Sequence, residues 1–169
     1  AMDVATRGRA VMSTLHSRDT VSTVTALRTL GLADHEITAT LSMVVSQRLV
    51  RTLCKACRRQ ATISERDQKW LELLNCPVPS QPWEPVGCKA CRGTGFVGRT
   101  GVFEIWQLDE QDYHNVLNHL DERSLRDSLA QRKHTFLLDD AMDKVNSGLT
   151  SLGEVRRLGL GGQHHARSA

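Results

Sequence analysis

Aromatic residues are scarce in this chain: three tryptophans, three phenylalanines and one tyrosine among 169 residues. A core with so few large anchors has to be filled by aliphatic side chains. Proline is scarcer and confined to one stretch, at Pro77, Pro79, Pro82 and Pro85. No apolar run approaches the roughly 18 residues of a membrane-spanning helix, and no hydrophobic leader with a small-residue cleavage site opens the chain. Nothing therefore points to an oxidising compartment, and disulfides are not expected. The phosphate-binding pattern Gly-x-x-x-x-Gly-Lys-(Ser/Thr) is absent; even the dipeptide Gly-Lys does not occur. No apolar strand ends in an acidic pair that would hold magnesium, and there is no serine elbow or zincin histidine pair. Charge is mildly basic, with 22 Lys and Arg against 19 Asp and Glu. No basic face with interleaved aromatics appears, and so mild a charge argues neither for nor against nucleic acid; no nucleic-acid partner is expected.

Cysteine is present in a pattern. Four of the five cysteines form two pairs, Cys54-Lys55-Ala56-Cys57 and Cys88-Lys89-Ala90-Cys91. Random placement of five cysteines would give roughly 0.15 such pairs, so the spacing carries information. A two-residue spacer lets both thiolates of a pair reach one ion, and two pairs supply the four sulfurs of a tetrahedral structural zinc site. Closing the intervening loop is cheap, at about 0.6 kcal/mol per doubling of loop length. Cys76, beside Pro77, is expected to be a packing residue.

The length suits one domain or two small ones. Ala1 precedes Met2, so the sequence reads as a fragment or as a chain whose start is Met2. Residues 2–7 read as a helix end stopped by Gly8, and Arg9 to Leu15 as a strand with Ser13, Thr14 and His16 near its carboxyl end. Asp19 or Thr20 caps a helix with Val21, Val24, Leu27 and Leu30 inward. Asp34 starts a further helix, carrying Ile37, Leu41, Val44, Val45 and Leu49 on one face and running into the first cysteine pair. Ser64 caps a short helix with Trp70, Leu71 and Leu74 buried, and the prolines make an extended crossing to Cys88. From Thr100 to Leu108 a strand alternates, with Val102, Glu104 and Trp106 on one side and Phe103 and Ile105 on the other. Helices follow from caps at Asp109, at Asp121 or Glu122, near Phe136, and at Thr150 or Ser151. Gly159 to Ala169 reads as a disordered tail.

Gly93-x-Gly95-x-x-Gly98 matches a dinucleotide fingerprint in spelling only. It follows a cysteine knuckle and precedes a strand, whereas that fingerprint needs a strand before it and a helix after it. The better reading is a glycine turn packed against the metal site. The second pair with its glycines also resembles one repeat of the zinc region of Hsp40-type cochaperones, although the first pair continues Arg58-Arg59-Gln60. His35, His114, His119 and His134 have no ligand-spaced partners in sequence and read as solvated side chains.

Four stretches appear in order: Gly8-Arg9-Ala10-Val11-Met12-Ser13-Thr14-Leu15-His16; Ser46-Gln47-Arg48-Leu49-Val50-Arg51-Thr52-Leu53-Cys54; Gly87-Cys88 through Gly93-Thr94-Gly95-Phe96 and Gly98-Arg99-Thr100-Gly101-Val102-Phe103-Glu104; and Gly148-Leu149-Thr150-Ser151 with Glu154-Val155. Together they closely resemble the carboxyl-terminal part of the secretion ATPases that power type II secretion and type IV pilus assembly. The resemblance implies an α/β fold, the later portion of a RecA-like P-loop ATPase core, with a tetracysteine zinc subdomain inserted and a helical C-terminal end. It divides the chain at 1–53 (core), 54–98 (zinc knuckle), 99–158 (returning strand and helices) and 159–169 (tail). It implies a homo-hexameric motor on the cytoplasmic face of the inner membrane that works with secretion or pilus assembly platform proteins. It places His16, with Thr14 nearby, against the terminal phosphate of the nucleotide, and zinc on Cys54, Cys57, Cys88 and Cys91. ATP and magnesium belong to the complete motor, because the Walker loop and acidic strand of the family precede the point where this chain begins. The chain alone is therefore expected not to hydrolyse ATP. Ser17-Arg18 stands where the family has asparagine, and Lys55 where it has proline. The rival expectation is a free-standing zinc-binding interaction module.

Overall fold

A computed structural model describes residues 2–160; of the tail expected at 159–169, the part from 161 on lies outside the described residues. The chain is mixed α/β and forms two compact units, each assembled from two separate stretches of sequence.

The first unit comprises residues up to Ser46 with Glu104–His134. It holds α1 (Met2–Ala5), α2 (Thr20–Thr29), α3 (Asp34–Thr40), α5 (Glu110–Leu117) and α6 (Glu122–Gln131). Here α2 packs on α6 and α3 on α5. The sequence sets these helices by their caps. Asp19 accepts the Ser22 amide and the Ser22 hydroxyl reaches back to the Asp19 amide, a reciprocal capping box. Asp109 and Asp121 cap α5 and α6 through the amides of Asp112 and Ser124. Val21, Val24, Leu27, Ile37, Val116, Leu125 and Leu129 are buried. Leu30, expected on the inner face of α2, is exposed because α2 ends at Thr29 and Leu30 is its carboxyl cap.

The second unit comprises Gln47–Phe103 with residues from Thr135 on. It holds α4 (Glu65–Leu73), α7 (Leu137–Asn146), α8 (Leu152–Arg157) and a small antiparallel ribbon, β2 (Arg59–Gln60) against β3 (Trp83–Glu84). Ser64 and Ser151 cap α4 and α8. Its core is Val50, Leu71, Leu74, Val102, Leu137, Ala141, Met142, Val145, Leu152 and Val155. Leu160, the last described residue, is buried in the same cluster. No helix among the described residues is long and apolar enough to cross a membrane.

The two long strands, β1 (Met43–Leu53) and β4 (Phe96–Gln107), pair with each other. β4 follows its expected alternation: Val102, Glu104 and Trp106 are buried, Phe103 and Ile105 exposed. Two expectations are overturned. The helix begun at Asp34 does not run into the first cysteine pair; it stops at Thr40, and residues 43–53 are strand. Burial there has period two, through Ser46 and Val50, and β-branched Val44, Val45, Val50 and Thr52 suit a ladder better than a helix. Arg9 to Leu15 forms no strand. A strand needs a neighbour for its amides and carbonyls. No strand pairs with this segment among the described residues, and Met12 is 99% exposed.

Candidate metal centre

Each cysteine pair closes its own tight turn. After β1, the amides of Cys57 and Arg58 both donate to the Cys54 carbonyl, at 3.2 and 2.9 Å. In the second pair Lys89–Cys91 make one 3-10 turn, the Gly93 amide donates to the Cys88 carbonyl at 2.9 Å, and Arg92 takes the left-handed conformation at φ 53°. These turns fold each pair so that both sulfurs project from one side. Backbone bonds then join the two: the Cys54 amide donates to the Gly95 carbonyl at 2.9 Å, and the Gly87 amide to Cys57 Sγ at 3.3 Å.

All four Sγ atoms lie within 4.8 Å of one another. Cys54 to Cys88 is 3.9 Å, and Cys57 to Cys91 and Cys88 to Cys91 are both 3.8 Å. A disulfide needs about 2.05 Å, so the cysteines are free thiols. A tetrahedron with metal–sulfur bonds of about 2.3 Å has edges of about 3.8 Å. The three separations fit those edges, and the donor set can hold one metal ion.

Cys91 and Cys57 differ in proton affinity. Burial pushes the Cys91 thiol up, yet the amides of Cys88 and Gly95 and the sulfurs of Cys88 and Cys57 outweigh it and bring it down to about 6. Burial, together with the sulfurs of Cys88, Cys91 and Cys54, pushes Cys57 up to about 11 despite the Gly87 amide. One thiol of the cluster thus yields its proton readily while another holds on. Carrying all four as thiolates requires a cation between them.

Below the cluster, Arg58 lies over the Trp83 ring at 4.5 Å and donates to the Gly148 carbonyl. Arg51 lies over Phe96 at 4.0 Å and forks onto Glu154, Nη2 to Oε1 at 2.7 Å and Nε to Oε2 at 3.0 Å. The knuckle is thereby fastened to the α7–α8 turn. Cys76 stands apart, half-buried against the core of the unit.

His16 and Thr14 are exposed in the irregular segment of the first unit, whereas the four cysteines belong to the second. His16 lines a shallow groove with Leu15, Arg18, Ala26 and Leu30. The residues after it are tied down: the Ser17 hydroxyl meets that of Thr23 at 2.8 Å, and the Arg18 amide donates to the Ser22 hydroxyl. The buried Asp19–Arg126 ion pair of 2.9 Å and the Thr20 hydroxyl bond to buried Glu104 have no signature in the sequence. Opposite charges 107 residues apart leave no periodic signal. His119 is exposed, as expected of a solvated histidine, and meets Asp34 at 2.7 Å.

The family model for type II/IV secretion system proteins matches residues 1–157. The chain belongs to that family. Similar relatives include type II secretion system protein E of Aeromonas hydrophila, 36% identical over 94% of this chain and 31% of the relative. The type IV pilus assembly ATPase TfpB of Acinetobacter baylyi is 35% identical over 94% of this chain and 27% of its own length. The type II secretion system ATPase E of Vibrio cholerae is 33% identical over 94% and 31%. The chain thus spans about a third of these secretion-family relatives or less.

Proposed function

We propose that this chain is the carboxyl-terminal part of a hexameric ATPase that drives type II secretion or type IV pilus assembly from the cytoplasmic face of the inner membrane. The family match along nearly the whole chain, to relatives named as secretion and pilus ATPases, carries this reading. On it, residues 1–53 and 99–158 complete a RecA-like core and 54–98 form an inserted metal element. Hexamer partners, the platform proteins, ATP and magnesium belong to the complete motor.

Cys54, Cys57, Cys88 and Cys91 are the metal ligands on this reading, and zinc is the ion that four thiolates at tetrahedral spacing suit. When bound, zinc supplies a structural cross-link of about 10–16 kcal/mol apparent affinity. The chain's own residues prepare for it: the tight turns aim the sulfurs, and backbone amides lower the cost of holding them as thiolates. His16 is the residue facing the terminal phosphate. A contact that strengthens as charge shifts in the transition state raises turnover more than it tightens binding.

The test uses the longer protein containing this segment. It should hydrolyse ATP, and the isolated chain should not. His16→Ala in the longer protein should cut turnover while leaving nucleotide affinity nearly unchanged. Turnover by the isolated chain, lost in His16→Ala, would overturn the division of labour. Metal analysis is the second arm: about one zinc per chain, lost in Cys88→Ser and kept in Cys76→Ser.

A further inference from the structure

The glycines around the second cysteine pair share one backbone conformation but not one environment. Gly93, Gly95 and Gly98 have φ of 79°, 76° and 75°, and Gly87 has 105°. All four therefore use the region that favours glycine. A β-carbon on Gly93 or Gly98 would meet nothing within 4 Å. On Gly95 it would fall on the Pro85 β-carbon and lie 3.0 Å from the Pro85 α-carbon; on Gly87 it would lie 2.6 Å from the Gly93 carbonyl oxygen. The proline-rich crossing and the glycine turn are thus stacked backbone on backbone at two points, next to the sulfurs.

Those two glycines are also the ones whose backbones touch the cluster. The Gly95 amide donates to Cys91 Sγ at 3.1 Å and its carbonyl accepts the Cys54 amide at 2.9 Å. The Gly87 amide donates to Cys57 Sγ at 3.3 Å. Gly95 therefore ties the second knuckle to the first through both of its backbone groups, and Gly87 reaches across in the other direction. An amide pointed at a thiolate stabilises its charge and fixes its direction. Only a residue without a side chain lets the crossing come close enough for both amides to reach.

We propose that Gly87 and Gly95 are positioning residues of the metal centre, clamping the two cysteine pairs through their N–H···S bonds and the Gly95 carbonyl, whereas Gly93 and Gly98 serve the turn alone. This rests on the four-cysteine metal site proposed above. The experiment is zinc affinity of the full chain by chelator competition, with tetrahedral cobalt(II) absorption as a check on site geometry. The wild type is read first; absence of stoichiometric zinc there removes both the metal reading and this one. Given zinc, Gly93→Ala and Gly98→Ala set the penalty of a left-handed alanine. Gly95→Ala should fall about a further 10–100-fold below them, the range for loss of an outer-shell partner. Gly87→Ala should fall in the same direction. Pro85→Gly, which removes the β-carbon that a residue at 95 would strike, should restore part of the affinity in the Gly95→Ala background. Affinity of Gly95→Ala equal to that of the Gly93→Ala and Gly98→Ala proteins overturns the proposal. So does a Gly95→Ala protein, folded or not, in which Pro85→Gly recovers nothing.

Discussion

Glu154 gathers four donors. It accepts the Arg51 amide, the Arg51 Nε and Nη2, and Arg157 Nη1, at 2.7 to 3.1 Å. The Arg51 side chain, and with it the guanidinium fork, holds its carboxyl below the usual range against the opposing effect of burial. A lowered folded pKa means stability that is present above the unfolded value of about 4.3 and lost as pH falls through the folded one. Glu154→Gln should therefore lose about 1–3 kcal/mol at pH 7, an amount discounted because Arg51 reaches water, and should unfold with less pH dependence between 5 and 3. Urea midpoints across that range check it. Gly148 sets a second, local limit. It has φ 69°, and a β-carbon there would lie 2.5 Å from the Trp83 ring. Gly148→Ala should displace the indole and loosen the Arg58 contact, read as loss of Trp83 fluorescence shielding.

Helix ends show where an element can be improved and where it cannot. Asn75, His119 and Lys133 follow α4, α5 and α6 in the left-handed conformation. Lys133 is exposed and makes no side-chain ion pair among the described residues, so Lys133→Gly should raise stability by roughly 0.5–1 kcal/mol in urea. At the start of α2 the opposite holds. Asp19 caps the helix and is 1% exposed, and its carboxyl is lowered by Ser22 and Arg126 against burial. Asp19→Ala removes the cap and leaves buried Arg126 with only the Glu122 carboxylate at 3.3 Å beside it, which should cost about 2–4 kcal/mol by thermal or urea unfolding. The same elements show what the sequence could tell. Caps at Ser64 and Asp109 were readable, and those of α2, α6 and α8 to within one residue (Asp19 or Thr20, Asp121 or Glu122, Thr150 or Ser151), because a side-chain oxygen must stand at the helix start. β4 was readable because Val102, Glu104 and Trp106 alternate cleanly. β1 was not: Met43, Val45 and Leu49 are apolar yet exposed, so its period is blurred and the spacing from Ile37 to Leu49 imitates a helix. The cysteine cluster was legible from ligand spacing, but its N–H···S donors were not, since every residue but proline carries an amide and only the fold says which ones aim at sulfur.

At the scale of the whole molecule, the metal centre belongs to the second unit and is fastened there by Arg58, Trp83 and Gly148. Stripping the metal with a chelator should therefore raise amide exchange across Gln47–Phe103 and in the α7–α8 turn while leaving α2 and α6 protected. Equal loss of protection in both units would contradict this local coupling. Acid should act in the same direction as the chelator, because thiols must lose protons to bind metal. The division into units also orders events at the ribosome. Each unit is written in two instalments: the first pauses at Ser46 and resumes at Glu104, the second pauses at Phe103 and resumes at Thr135. Asp19 must wait for Arg126, 107 residues later, which is roughly 5–20 s at ordinary translation speeds. The cysteine pairs are only 34 residues apart and both precede that point. On the metal reading proposed above, the knuckle of the nascent chain can close on an ion before either unit has received its last helix.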